Sequence, residues 1–107
     1  MTTTATTTLT RAQIHAYIHG LGDADLFDLA VQVNVWRTLL KGHGYDATRA
    51  LLIVALSACG DEFRGRRMPC PWARVWLTVW KRVYAHESPS PDVVREHVAE
   101  WAAAVAG

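Results

Sequence analysis

The chain is short of cysteine and of long apolar runs. Its two cysteines, Cys59 and Cys70, lie eleven residues apart and match no close-pair zinc signature. The longest apolar run, Ala50 to Leu56, is far shorter than the roughly 20 residues that span a bilayer. The threonine-rich N-terminus has neither the basic start nor the apolar segment of a signal peptide. We therefore expect a cytoplasmic protein that makes no membrane contact and keeps its thiols reduced.

The sequence signatures of catalysis are missing as well. There is no Gly-x-Ser-x-Gly elbow, no glycine-rich phosphate loop and no metalloprotease helix. His15 and His19 lie one turn apart on the first predicted helix, but a metal site needs three or four ligands, so ordinary surface histidines are the simpler interpretation. The spacing gives no support to Cys70 as a nucleophile paired with a distant histidine. We expect a non-catalytic protein without a metal or cofactor.

The composition is that of one globular domain. Half of the 107 residues are hydrophobic and a fifth are charged. Residues 1–9 are predicted to be a flexible tail, which leaves residues 10–107 as a single helical domain. Five tryptophans are a large apolar load for so short a chain, so part of their surface is expected to remain for a partner.

The segment that follows Pro71 has the most regular pattern in the chain. Aromatic residues recur every four positions, at Trp72, Trp76, Trp80 and Tyr84, and a second row repeats the step at Val75, Val79 and Val83. On a helix these rows are adjacent, so they predict one broad apolar face with Arg74, Lys81 and Arg82 on the opposite side. Proline suits the first helical position. The pattern predicts a tryptophan-rich helix over residues 71–86.

Two helices are predicted before the middle of the chain. Thr10 and Gln13 have the spacing of a capping box, and Gly20 is expected to end the first helix in a left-handed conformation. The second helix is expected to be capped by Asp23 or Asp25 and to run to about residue 41. Because it is apolar on most sides, it should be central or covered by a partner.

Two more helices complete the prediction. The third should start at Asp46 or Thr48 and end before Gly60; its run 50–56 also fits a buried strand, but the alanine and leucine content favours helix. Residues 60–70 then form a basic loop. Ser90 and Pro91 have the residue types of a helix start. The expected fold class is all-α, a single-domain irregular bundle of about five helices.

Positive charge is concentrated in this loop and in the tryptophan-rich helix. Six of the eleven basic residues lie between positions 64 and 82, where there is no acid: Arg64, Arg66, Arg67, Arg74, Lys81 and Arg82. The simplest interpretation is a solvated basic face that is balanced by acidic ends of neighbouring helices. The functional interpretation is contact with phosphates or with an acidic protein surface, since guanidinium groups bind both.

The tryptophans and cysteines each allow more than one interpretation. At least two tryptophans of the row are expected in the core, and one or more of Trp72, Trp76 and Trp80 at an interface is the next alternative. Stacking on single-stranded bases is a third.

For Cys59 and Cys70, two buried free thiols are favoured over a disulfide, which would stabilise the fold by about 3 kcal/mol.

We expect a non-catalytic interaction or regulatory protein that binds a macromolecular partner, or itself, through helix 71–86 and loop 60–70. Its partner-binding residues would be the six basic residues together with Trp72, Trp76 and Trp80. The alternative is a nucleic-acid-binding protein whose basic cluster contacts phosphates. An enzyme or small-ligand carrier with a tryptophan-lined pocket ranks last. The size and net charge suit a host regulator and a mobile-element inhibitor alike.

Overall fold

Five helices and no strand form from the residues that the structure, a computed structural model, describes, namely 9–85 and 89–107. The helices are α1 (Arg11–His19), α2 (Asp23–Leu40), α3 (Asp46–Gly65), α4 (Pro71–Tyr84) and α5 (Pro91–Ala106). This confirms the predicted all-α bundle. The predicted tail, residues 1–9, lies outside the described residues except for Leu9.

Local capping patterns place the starts of α1 and α5. The Thr10 hydroxyl accepts a hydrogen bond from the Gln13 N–H at 3.1 Å, and the Gln13 side chain accepts one from the Thr10 N–H at 2.8 Å. Ser90 caps α5 by accepting from the Val93 N–H. Both predictions are confirmed, because a capping motif acts within one turn of chain and needs no distant partner.

Two predicted helix ends are wrong in detail. Gly20 has φ −77° and ψ −8°, which is right-handed, so it does not end α1 in a left-handed conformation. The N-cap of α2 is Gly22 without a side-chain hydrogen bond, so neither Asp23 nor Asp25 is the cap. Both aspartates instead lie in the first turn of α2, where their charge favours the positive end of the helix dipole.

Helix α2 lies at the centre of the bundle. It contacts α3, α4 and α5, while α1 packs across α3 and α5. Along the shortest axis the molecule measures only 18 Å, about two helix diameters. In so thin a bundle only α2 is covered on most sides, which confirms the prediction made from its apolar sequence. Every other helix has one inner and one outer face.

The core gathers one or more apolar residues from each helix. Its fully buried members are Ile14, Ile18, Leu26, Ala30, Val31, Val33, Leu40, Leu52, Ala55, Ala58, Cys59, Phe63, Val75, Val79, Val94 and Val98, with Trp36 slightly more accessible. Among the described helices none is long and apolar enough to cross a bilayer.

Helix α3 continues five residues past Gly60, the glycine that was expected to follow its end. It runs through Gly60, which is buried, to Gly65. A Cβ atom on Gly60 would lie 3.2 Å from the Trp72 ring, so this glycine leaves room for an indole from α4. The predicted loop 60–70 is therefore wrong over its first half; only residues 66–70 connect α3 to α4.

A glycine-type turn without glycine ends α3. The Met68 N–H bonds to the Phe63 carbonyl and the Arg67 N–H to the Arg64 carbonyl, both at 3.0 Å, which is the Schellman arrangement. Arg67 occupies the position that usually holds glycine, and its φ is +55°. The side chain therefore adds strain at this position, since a Cβ disfavours the left-handed region.

Replacing Arg67 with glycine is expected to raise the free energy of unfolding by about 0.5–1 kcal/mol, because glycine adopts this φ without strain. Urea unfolding followed by circular dichroism measures the change. The matched control is Arg67→Ala, which removes the charge but keeps the Cβ and should give no gain. An equal gain in both variants would show that charge, and not backbone conformation, is responsible.

Candidate functional site

Helix α4 has two apolar faces. Val75 and Val79 are fully buried and face the bundle. Trp76 and Trp80 lie on the solvent side, so the two rows do not form the single broad face that the sequence predicted. The observed helix ends at Tyr84, two residues before the predicted end. Valines allow α4 to approach α2 closely, which turns the aromatic row outward.

We define the outer face of α4 as Trp76, Leu77, Trp80 and Tyr84. Their exposed fractions are 44%, 56%, 60% and 66%. The rings of Trp80 and Tyr84 contact each other with centroids 6.0 Å apart and an interplanar angle of 42°. Several large apolar side chains exposed next to one another are typical of a surface that binds a partner.

The other tryptophans have structural positions. Trp72 is half-buried and meets Phe63 edge to face, with ring centroids 5.4 Å apart. Trp36 is buried, and Trp101 packs against it at 6.3 Å. The expectation that at least two tryptophans of the predicted row lie in the core is therefore wrong: only Trp72 is partly enclosed. The interface alternative agrees with the exposure of Trp76 and Trp80.

Arg66 is a structural residue and does not belong to an open basic surface. Its guanidinium donates to Asp23 Oδ1 at 2.8 Å, to Glu62 Oε1 at 3.0 Å and to the Leu21 carbonyl at 2.7 Å. It thereby joins the end of α3 to the turn between α1 and α2. Arg66 is thus paired with two carboxylates and its side chain is only 20% exposed, which leaves it less available to a partner than the other predicted cations; its role in partner binding stays a prediction.

Glu62 is held in its charged form by this network. Partial burial alone would raise its pKa, but hydrogen bonds from Arg66 and from His19, whose Nδ1 lies 3.0 Å from Oε1, lower the pKa below its ordinary value of 4.5. The same contacts raise the pKa of Arg66, with Asp23 as the main cause. His19, one of the two considered metal ligands, is therefore engaged by a carboxylate. Within the described ranges no three His, Cys, Asp or Glu residues are grouped as metal ligands.

The remaining predicted cations are spread over two regions. Arg64 lies in α3 and pairs with Asp61 one turn away, and Arg67 lies in the turn after α3. Arg74 lies over the Phe27 ring at 5.0 Å and keeps an exposed side chain. Lys81 and Arg82 are exposed near the end of α4 and have no carboxylate partner in the described part of the chain. Three of the six are therefore exposed cations of α4, the helix that also contains the exposed aromatic residues.

A second group of cations, which was not predicted from the sequence, lies next to the outer face. A pocket of about 270 Å³ is lined by Arg37 and Thr38 of α2, Lys41 at its C-cap, Arg49 of α3, and Trp76 and Tyr84 of α4. The Arg37 guanidinium lies over the Trp76 ring at 5.6 Å. Arg37 and Lys41 are one turn apart, a spacing that was visible in the sequence. Arg49 is distant from them in sequence and lies beside them only because α3 packs against α2.

The two thiols differ in accessibility. Both are free; Cys59 is buried and Cys70 is exposed, so the expectation of two buried thiols is wrong for Cys70. Burial, with a smaller effect of Glu62, raises the pKa of Cys59 to about 12. A protonated thiol is a poor nucleophile, so only Cys70 is available to reagents at neutral pH.

We expect one thiol per folded molecule to react with Ellman's reagent, and two after unfolding in guanidinium chloride. The Cys70→Ser variant should lose the fast reaction, whereas Cys59→Ala should keep it. Absorbance at neutral pH measures both. Fast reaction of two thiols in the folded state would place Cys59 at the surface and would contradict this assignment.

The candidate site combines the exposed outer face of α4 with the exposed cations of the same helix and with the cationic pocket beside Trp76 and Tyr84. Comparison of the chain with protein-family models, with curated proteins and with solved structures gives no match.

Proposed function

We propose that this protein is a non-catalytic interaction protein that docks on a protein partner through the outer face of α4. The main supporting observation is the exposure of four large apolar side chains on one face of α4, while Val75 and Val79 of the same helix are buried. Anchors at positions i, i+4 and i+8 of a helix suit insertion into an apolar groove. Buried aromatic anchors of this kind contribute most of the binding energy at many interfaces.

Charge favours a partner whose groove is bordered by acidic residues. Arg74, Lys81 and Arg82 are exposed on the same helix as the aromatic row, and α4 contains no acid. A second copy is less suitable, because a two-fold contact through this face would bring like cations together. An acidic border on the partner would instead attract these cations and speed association, an effect that weakens as the salt concentration rises.

Site-specific crosslinking followed by affinity measurement tests the proposal. A photo-reactive phenylalanine analogue at position 77 should capture the partner in cells, and the same group at Ile53 should not. Ile53 is a matched control because it is 51% exposed but lies on α3. The captured protein is then purified, and its affinity is measured by calorimetry.

We expect Trp80→Ala to weaken binding by roughly 30-fold or more, which corresponds to about 2 kcal/mol, while Ile53→Ala leaves it unchanged. Replacing Lys81 and Arg82 with glutamine should reduce the salt dependence. Equal affinity of the Trp80→Ala and unaltered proteins would contradict docking through this face. A concentration-dependent mass in ultracentrifugation that Leu77→Asp abolishes would instead identify self-association.

Nucleic-acid binding is the second candidate, because α4 contains both exposed indoles and exposed cations. Such an arrangement suits base stacking with phosphate contacts. Labelled single-stranded DNA and RNA at low salt provide the test. Binding that is lost when Arg74, Lys81 and Arg82 become glutamine would support this candidate; no binding at low salt would exclude it.

A further inference from the structure

The pocket beside Trp76 brings together three cations from α2, its C-cap and α3. Arg37 lies in the last turn of α2, Lys41 is the residue that caps the end of α2, and Arg49 lies in the first turn of α3. None of the six lining residues is acidic. In the described part of the chain, none of the three cations has a carboxylate partner. The pocket is therefore a concentration of positive charge that the fold itself does not neutralise.

Two of these cations have N–H groups without an acceptor. The Nε atoms of Arg37 and Arg49 are shielded from solvent, and no described residue accepts a hydrogen bond from either. A buried donor of a charged group is unfavourable until an acceptor reaches it. The Thr38 hydroxyl already donates a hydrogen bond to the Asn34 carbonyl at 2.8 Å, so it has no second proton to donate to a ligand. The unused groups are thus mainly cationic donors, which is what an anionic ligand requires.

We propose that this pocket binds the phosphate group of a small aromatic phosphate monoester. A phosphate monoester has nearly two negative charges at neutral pH and three acceptor oxygens, which matches two guanidinium groups and one ammonium group. A carboxylate offers one charge and two oxygens. Trp76 and Tyr84 form aromatic walls for a flat ring, and about 270 Å³ accommodates one ring with one phosphate.

This inference goes beyond the proposed docking function and does not depend on it. Lys41 and Arg49 are not part of the outer face of α4, and Leu77 and Trp80 do not line the pocket. Loss of partner binding in Trp80→Ala therefore tests docking alone. Loss of ligand binding in Arg49→Gln tests the pocket alone.

Titration of the nitrogen-15-labelled full chain with phenyl phosphate tests the pocket. The arginine Nε–Hε signals of Arg37 and Arg49, assigned through their glutamine variants, should shift saturably with a Kd between about 10 μM and 1 mM. Inorganic phosphate should bind more weakly because it lacks the ring, and phenol should cause no saturable shift because it lacks the charge.

Arg49→Gln and Lys41→Gln should each weaken phenyl phosphate binding by about tenfold or more. Lys41 is exposed, so its variant reports on binding even if Arg49→Gln fails to fold. Arg74→Gln, which removes an exposed cation outside the pocket, should bind within about twofold of the unaltered protein. Equal binding in Lys41→Gln, or binding of phenol as tight as that of phenyl phosphate, would overturn the proposal. So would a 5′-phosphorylated oligonucleotide that binds more than tenfold tighter, because it would assign the pocket to nucleic acid.

Discussion

Replacing Phe63 with alanine is expected to lower the free energy of unfolding by about 3–5 kcal/mol. The ring is 1% exposed and meets Trp72 edge to face, so truncation removes buried area and an aromatic pair and leaves a cavity between α3 and α4. Since a domain of this size has about 5–15 kcal/mol of stability in total, the variant should be close to unfolding at 37 °C. Urea unfolding by circular dichroism measures the loss.

Leu77→Ala is the control for this prediction. It also truncates a large apolar residue, but that residue is 56% exposed on α4. Its effect should stay within about 0.5 kcal/mol. If the two variants lost similar amounts of stability, the bundle would cover the outer face of α4 after all, and the proposed docking surface would not exist.

Replacing Arg66 with methionine is expected to cost about 2–3 kcal/mol of stability. Methionine keeps the apolar stem but removes the donors to Asp23, Glu62 and the Leu21 carbonyl. Hydrogen bonds of charged groups contribute about 1.5–3 kcal/mol each, but this guanidinium is partly exposed, so solvent screening reduces the sum. Arg64→Met, whose side chain is 72% exposed, should change stability by less than about 0.5 kcal/mol.

The pH dependence gives this prediction a second measurement. The pKa of Glu62 is lower in the folded state than its ordinary value of 4.5. The charged Glu62 therefore makes its full contribution to the free energy of unfolding above that pH. The contribution is lost as the pH falls below 4.5 and through the lowered folded value. In Arg66→Met the pKa of Glu62 should rise, so the loss of stability on acidification should be smaller. An identical acid dependence in both proteins would show that Arg66 does not hold the carboxylate charged.

Local signals made much of the fold predictable. The capping box of Thr10 and Gln13 and the Ser90-Pro91 start act within a single turn, so their residues suffice to identify them. Gly60 was wrongly predicted to follow the end of α3, because its function is in tertiary packing: it leaves space for the Trp72 ring of another helix. A glycine that serves tertiary packing cannot be distinguished from a helix stop in the sequence alone.

The candidate site was only partly predictable, for a related reason. The valine and tryptophan rows of α4 have the same period, and nothing in that period says which row faces α2. Arg66 belongs to the same basic run as Arg67, yet carboxylates from two elements neutralise it. The pocket cations Arg37 and Arg49 lie on different helices, so only the fold brings them together.

The most direct test of the proposed docking surface is the solvent accessibility of each indole, since docking requires that the aromatic row of α4 be exposed. Fluorine NMR of the protein with 5-fluorotryptophan, assigned by single Trp→Phe variants, resolves the five tryptophans separately. With a soluble paramagnetic agent, Trp80 and Trp76 should broaden most and Trp36 least, in keeping with their exposed fractions of 60%, 44% and 8%. Protection of Trp80 equal to that of Trp36 in dilute, monomeric protein would contradict docking through the outer face of α4.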